Sequence, residues 1–406
     1  MLLKNQLDKL IIFFIIIFGF LISTAPYFKF YAPIYYFFLI IIIIFSLNNY
    51  KNIFHLNKFE ILFYFFLLIS LYFLIFHKTN FSFDIQFIKI IFILCSFFLL
   101  FKLISLRLFH ILIISFIIFS SLNSLIAILQ IEKIYNVGLT FFLDLRFLFE
   151  YPKVGALKDL STTKIFFAKS PSGISYTNIQ MSYQIVVAFF LLKYLNYLNF
   201  FEDKKKLNLF IHSIFYINIV LSGLTVLFLF IFYDLLKFII KSKTIKLLKV
   251  LIIILISITS IFISSHFEIN KKFLERLSLW EVGVRTIFLK ERNPEKRYFE
   301  TREEVFNLLG INESRAIYFR DRGPHNSIIT ASRQINLNYM IFQIFFHFFV
   351  IVIILTKIKN ELKFYPLVYF INTMFHNSGL ANYDLYVIIL MNIIFYIINN
   401  DKNKKF

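Results

Sequence analysis

The sequence predicts an all-α integral membrane protein of about twelve transmembrane helices, with both termini inside and one large helical loop outside. Three observations predict it. The 406 residues are 59% hydrophobic and only 16% charged, with 59 Phe, whereas a soluble domain is about half apolar and a quarter charged. Several apolar stretches reach the length that crosses a bilayer. Basic residues fall in every second connecting segment, as the positive-inside rule requires. A soluble enzyme, a disordered chain and a secreted disulfide scaffold are excluded. The one cysteine, Cys95, lies in an apolar run and has no intrachain partner.

Hydropathy gives candidate helices at 10–25, 31–47, 61–76, 87–101, 108–129, 179–198, 207–221, 224–240, 250–265, 338–356, 364–377 and 382–398. The run 207–240 is too long for one span, and the small pair Ser222-Gly223 marks a turn at its middle. With the N-terminus inside, the short inner segments carry Lys4 and Lys9, Lys51 and Lys58, Lys102 and Arg107, Lys193 and Lys204 to Lys206, then further Lys clusters at 237–249, 357–363 and 402–405. The short outer segments hold only Lys29 and Lys78. Reading 207–240 as one span would put a Lys-rich flank outside, so the split stands. The first span resembles a signal peptide in its Lys4, Lys9 and Ser23-Thr24-Ala25, but a polytopic protein keeps such a helix as an anchor.

The chain divides accordingly. Residues 1–265 hold nine spans, with a long outer loop at 130–178. Residues 266–337 form the large outer loop, 338–398 hold three more spans, and 399–406 form an inner tail. The net charge of +20 is then a membrane signature first, and nucleic acid is not an expected partner. The cations also divide by type. Lysine dominates the inner segments. Nine of the 11 arginines lie in 266–337 and a tenth, Arg146, lies in 130–178. Arginine presents a planar fork that grips phosphate or carboxylate at two points. An Arg-rich outer loop beside a membrane therefore points to an anionic ligand at the outer surface, with a lipid pyrophosphate the natural candidate. The bland alternative is a solvated loop of Arg–Glu pairs, since the same loop holds 10 acidic residues.

Within that loop, Ile269, Phe273, Leu277, Trp280, Val284 and Ile287 recur at helical spacing. They predict an amphipathic helix against the membrane face or the bundle mouth, with Trp280 at the interface. Thr301 and Glu304 form a capping box for a short helix at 302–309. Then comes Arg320-Asp321-Arg322-Gly323-Pro324-His325-Asn326-Ser327. Gly-Pro breaks the chain, and from Asn326, a good N-cap, the pattern is helical and runs on into the tenth span. His325 is expected at the positive end of that helix, where backbone donors favour an anion and a neutral imidazole suits general-base work. The ordinary reading of a loop histidine is a solvated side chain; two flanking arginines and a helix start weigh against it.

These residues resemble the O-antigen ligase and O-antigen polymerase superfamily, whose large periplasmic loop carries a His followed by Asn, Ser or Gln, nine residues, Gly, two residues, and Gly, Thr or Tyr. Here His325-Asn326 is followed by Ser327 to Ile335, Asn336, two residues and Tyr339. Asn336 stands where the family has Gly. Asparagine tolerates a left-handed backbone, so a turn of that kind is expected at 336. Arg276 with Trp280 four residues on resembles the family's Arg and Trp after the ninth span. The family's Ser-Arg pair at the turn between the seventh and eighth spans is absent, since the turn reads Leu221-Ser222-Gly223-Leu224-Thr225. Arg146, Arg285 or Arg322 would have to supply that charge. Lys169 to Gly173, entering the sixth span, is similar at low specificity.

The resemblance implies a GT-C-type glycosyltransferase in the bacterial inner membrane with its site facing the periplasm. It would move a polyprenyl-pyrophosphate-linked glycan onto a lipid A core. The alternative acceptor is another lipid-linked repeat unit, which makes the enzyme a polymerase. His325 would be catalytic, and Arg276, Arg285, Arg320, Arg322 and Arg146 would bind pyrophosphate. Asn326, Asn336, Tyr339 and Trp280 would support the motif. No cofactor is implied, and no His, Cys and Asp set has metal-ligand spacing. His376-Asn377 and Asp384 fall near the outer ends of the last two spans, where polar helix caps are the bland explanation. A flippase or transporter is the rival class, disfavoured because the polar chemistry lies outside the spans.

Overall fold

The computed structural model describes residues 2–25, 31–77, 85–129, 173–175, 178–222, 224–241, positions 277, 279–281, 283–284 and 287–288, and residues 326–333, 335–376 and 379–401. The regular elements among them are helices: α1 (Leu2–Thr24), α2 (Tyr31–Phe45), α3 (Lys58–His77), α4 (Ile85–Leu103), α5 (Leu106–Leu129), α6 (Asn178–Tyr197), α7 (Lys205–Leu221), α8 (Phe228–Lys241), α9 (Ser327–Arg333), α10 (Leu337–Lys357), α11 (Phe364–Thr373) and α12 (Leu385–Asp401). Short 3-10 segments lie at Leu47–Phe54, Glu202–Lys204, Thr225–Leu227 and Leu380–Asn382. Each predicted helical stretch that falls among the described residues is a helix; 250–265 lies outside them. An apolar chain with few breakers satisfies its backbone within each segment, the only solution open to it in lipid besides a closed barrel.

Among the described residues, three helices are long and apolar enough to cross a membrane, at Lys58–Phe76, Leu106–Leu129 and Leu337–Lys357, and up to five spans result if each bent pair is one span. The bent pairs are Ile34–Phe45 with Leu47–Phe54, at 85°, and Ile179–Tyr197 with Glu202–Leu221, at 119°. The second bend is a reversal. Asn196 on α6 donates to Asn208 on α7 at 3.2 Å, so the chain doubles back through 198–204. α7 then ends at Leu221, with Ser222 as its C-cap. Tyr216 on α7 bonds Asp234 on α8, so the chain folds back again near Thr225.

The burial pattern is that of a bundle in an apolar solvent. Every side chain at 181–192 on α6 and at 386–398 on α12 is buried, as expected of helices hydrophobic all round. Phe18, Phe63, Phe97, Phe109, Phe116 and Phe189 fill the space between helices. Large apolar side chains also cover the outside: Phe13, Phe37, Phe65, Leu209, Phe345 and Phe348 are all more than half exposed. Polar side chains are held within instead, as with Ser70, Asn123, Gln184, Asn218, Gln343 and Asn392. A soluble protein distributes these groups the other way, and the arrangement is compatible with a multi-pass membrane protein.

Hydrogen bonds between distant helices join ends that the loop charges assign to one side. At the predicted inner end, Asn49 donates to the Leu103 carbonyl at 2.8 Å and Asn57 to Asn399 at 2.8 Å. At the predicted outer end, Ser175 donates to the Thr24 carbonyl and Asn372 donates to Ser182 at 2.9 Å.

Candidate functional site at the mouth of the bundle

The site is built from the start of α9, the start of α10 and the connection between α11 and α12. Asn326 is buried and opens α9. Its Oδ1 accepts from the Ile328 and Ile329 amides at 3.0 and 3.1 Å, and its Nδ2 packs on the Met374 sulfur at 3.5 Å. This is the N-cap that the sequence predicts, satisfying two of the donors that a helix start leaves open.

α9 does not run on into the next span as expected. It ends at Arg333 after seven residues, and a new helix begins at Leu337. Asn336 is the reason. Its backbone is extended, with φ −176° and ψ 179°, and its side chain accepts from the Tyr339 amide at 2.8 Å. The left-handed turn expected at 336 is therefore corrected: asparagine here caps a second helix, and an extended residue needs no glycine. Tyr339, three residues on, is fully buried. Its hydroxyl donates to the Ala381 carbonyl at 2.9 Å and lies 3.1 Å from the Ser70 Oγ, and Gln343 Nε2 donates to the same Oγ at 2.7 Å. The motif tyrosine thus ties α10 to α3 and to the α11–α12 connection.

That connection is tightly wound. At Gly379 an added Cβ would lie 2.9 Å from Thr373 Cβ and 3.0 Å from Ser327 Oγ, so the start of α9 and the end of α11 both meet its backbone. Tyr383 adopts a left-handed conformation, φ 55°, rare for a bulky residue. Asp384 then caps α12, its Oδ1 accepting from the Tyr386 amide at 2.9 Å and from the Tyr369 hydroxyl at 2.8 Å. The Tyr183 ring meets Tyr369 at 5.0 Å and His376 edge-on at 6.0 Å. Asp384 therefore does the capping work of the bland explanation, while His376 lies in an aromatic cluster. Asn377 is outside the described residues.

Described positions at 277–288 are helical, as predicted, and of those on the expected apolar face Ile287 is buried, Trp280 and Val284 are half-buried and Leu277 alone is exposed. Leu279 and Ile287 are buried and Leu277 is 37% exposed. The Trp280 ring packs on Phe375 at 5.7 Å, which brings this segment to the α11–α12 connection. Arg146, Arg276, Arg285, Arg320, Arg322 and His325 lie outside the described residues, as does the predicted helix at 302–309. Among the described residues no group of three His, Cys, Asp or Glu could hold a metal.

A second network, which the sequence reading missed, adjoins the first. Asn123 donates to Ser175 at 2.8 Å and to Gln184 at 3.2 Å, and its Oδ1 accepts from the Ile174 amide at 2.7 Å. Gln184 Nε2 donates to the Tyr386 hydroxyl at 2.7 Å. Buried amides and hydroxyls of this kind cost free energy unless satisfied, and here they hold each other. The signal was available: polar side chains inside long apolar stretches are uncommon and deserve singling out. The chemistry assembled at this end is one of hydroxyls, amides and aromatic rings that satisfy one another.

No protein family, curated protein or solved structure matches the chain.

Proposed function

We propose that the chain is a GT-C-type glycosyltransferase that moves a lipid-pyrophosphate-linked glycan onto an acceptor at the outer face of a bacterial inner membrane. The reading includes twelve spans with both termini inside. The observation that carries it is the run from His325 to Tyr339, whose positions Asn326, Asn336 and Tyr339 have structural work at the bundle mouth. Asn326 caps α9 against Met374, Asn336 caps α10, and Tyr339 bonds the Ala381 carbonyl. His325 precedes the buried cap directly in the chain.

In this mechanism the acceptor hydroxyl attacks the anomeric carbon of the donor. The bond from that carbon to the pyrophosphate oxygen breaks as the new glycosidic bond forms. His325 takes the hydroxyl proton, and the departing lipid pyrophosphate keeps the electron pair. Arg276 with Arg285, Arg320, Arg322 or Arg146 neutralises it, each charge-assisted bond contributing about 1.5–3 kcal/mol. The acceptor is a lipid A core in the ligase reading and a lipid-linked repeat unit in the polymerase reading.

The test is the glycan profile of a deletion strain complemented with His325→Ala or Arg276→Ala. Loss of surface glycan with normal membrane levels of protein is expected; full glycan ladders in both would end the proposal. Long chains left on the carrier assign a ligase, and single repeats assign a polymerase. Lipid-linked glycan crossing liposomes with no joining to an acceptor would favour a flippase.

A further inference from the structure

The 3-10 segment Leu47–Phe54 follows α2 at the predicted inner end. It is held at several points. Asn49 donates to the Leu103 carbonyl at the end of α4, the His55 carbonyl accepts from Lys102, and Asn57 donates to Asn399 on α12. The segment lies at 85° to the helix before it. A membrane-crossing helix tilts by about 20° from the bilayer normal on average. With α2 as a span, the segment therefore runs within about 25° of the membrane plane. Asn49 and Ile53 are half-buried, and no residue of the segment is buried. Its large apolar side chains stand outside instead: Leu47, Tyr50 and Phe54 are exposed, Phe54 at 80%, and Leu56 follows them.

The charge around it has one sign. Between Asp8 and Glu60 the chain has no acidic residue, and Glu60 is neutralised by Lys102. Lys51 and Lys58 are exposed, and neither pairs with a carboxylate among the described residues. The other acids of the predicted inner segments, Asp8, Glu202, Asp203, Glu361 and Asp401, each have lysines close by in sequence. Exposed aromatic and leucine side chains next to free lysines are the composition of helices that lie in the membrane interface, where aromatic rings collect.

We propose that residues 47–56 dock on the lipid head-group layer of the inner leaflet, with Leu47, Tyr50 and Phe54 sunk toward the acyl chains and Lys51 and Lys58 at the lipid phosphates. Position and charge commit the occupant. A segment at the end of a span and close to the membrane plane has the head groups beside it, and lipid phosphates supply the negative charge that the chain itself lacks there. The docking rests on the span reading of the proposed function and not on glycan transfer.

The experiment measures label depth for the full chain in phosphatidylcholine vesicles. A thiol-reactive fluorescent dye is placed at Phe54→Cys or Tyr50→Cys in a Cys95→Ser background, and on Cys95 alone in the wild type. All three positions are exposed, so the fold tolerates the changes. Lipids brominated at two depths report contact with the bilayer, and iodide on both sides of the vesicle reports contact with water. The Phe54 and Tyr50 labels are expected about 5–10 Å into the head-group boundary, and the Cys95 label, midway along α4, deeper. Labels at 50 and 54 that iodide quenches and brominated lipid does not would overturn the proposal, because the face then stands in water. Protection from both quenchers would overturn it too, because a second copy of the chain then covers the face. In either case a Cys95 label still quenched by lipid leaves the spans standing, so the docking alone has failed. A Cys95 label that lipid does not quench removes the spans and the docking together.

Discussion

Lys102 on α4 and Glu60 on α3 form an ion pair at 2.7 Å with side chains only 7% and 2% exposed. The Lys102 ammonium also donates to the His55 carbonyl at 2.7 Å, and the Asn399 amide reaches the same Glu60 oxygen at 3.3 Å. Asn57 completes the set, donating to Asn399 and capping the Glu60 amide. One buried pair thus ties α3, α4 and α12 at the predicted inner end.

A sealed pair is costly to break and cheap to replace as a whole. Lys102→Met leaves Glu60 buried without its cation and should cost about 3–5 kcal/mol. Adding Glu60→Gln should recover most of that loss. Thermal unfolding of the detergent-solubilised protein checks it; a double variant no more stable than Lys102→Met would show that the pair is not the unit.

Gly173 tests the second network at the opposite end. Its φ of 63° is left-handed, and an added Cβ would fall 2.2 Å from Asn123 Oδ1. Gly173→Ala therefore combines backbone strain with displacement of the amide that holds Ser175 and Gln184. Destabilisation of about 2 kcal/mol or more is expected. Asn123→Ser with Gly173→Ala removes the side-chain collision but not the approach to the Asn123 carbonyl oxygen at 2.5 Å, so the double variant should regain little of the stability lost in Gly173→Ala, as thermal melts of the two variants will report.

The helices were legible because their cause is local. Apolar runs of Phe, Ile and Leu satisfy their backbone within the segment as helix, and the split at Ser222 followed from Lys placement on both flanks. The Asn326 cap was legible for the same reason, since a cap is written within four residues. What escaped was decided by neighbours far along the chain. Asn123 meets Gln184, Gln184 meets Tyr386, and Lys193 meets Asp234 only once the helices pack. Asn336 was misread because a family comparison supplied a glycine turn, while the residue's own preference for capping pointed to a helix start.

That difference at Asn336 can be measured. A left-handed residue is improved by glycine, whereas an N-cap is slightly weakened by it. Asn336→Gly should therefore cost a few tenths of a kcal/mol, and Asn336→Ala about 1 kcal/mol, because alanine offers no acceptor to the Tyr339 amide. A glycine variant more stable than wild type in denaturant or thermal unfolding would restore the left-handed turn.

Asn326 separates structural support from chemistry. Its Oδ1 serves two backbone amides at the start of α9, so Asn326→Ala should cost about 0.5–2 kcal/mol. Asn326→Asp keeps an acceptor at the cap and should regain most of that stability. His325 next door makes the opposite demand: the proposed proton transfer needs its imidazole, and the cap does not. His325→Ala should abolish glycan transfer at nearly unchanged stability, while Asn326→Ala should lower both and Asn326→Asp restore both. The readouts are unfolding temperature and surface glycan in the same complemented strains. Glycan transfer that survives His325→Ala but falls with Asn326→Ala would mean that the start of α9 matters only as a scaffold, and the base would have to be sought among groups such as His376 on the α11–α12 connection.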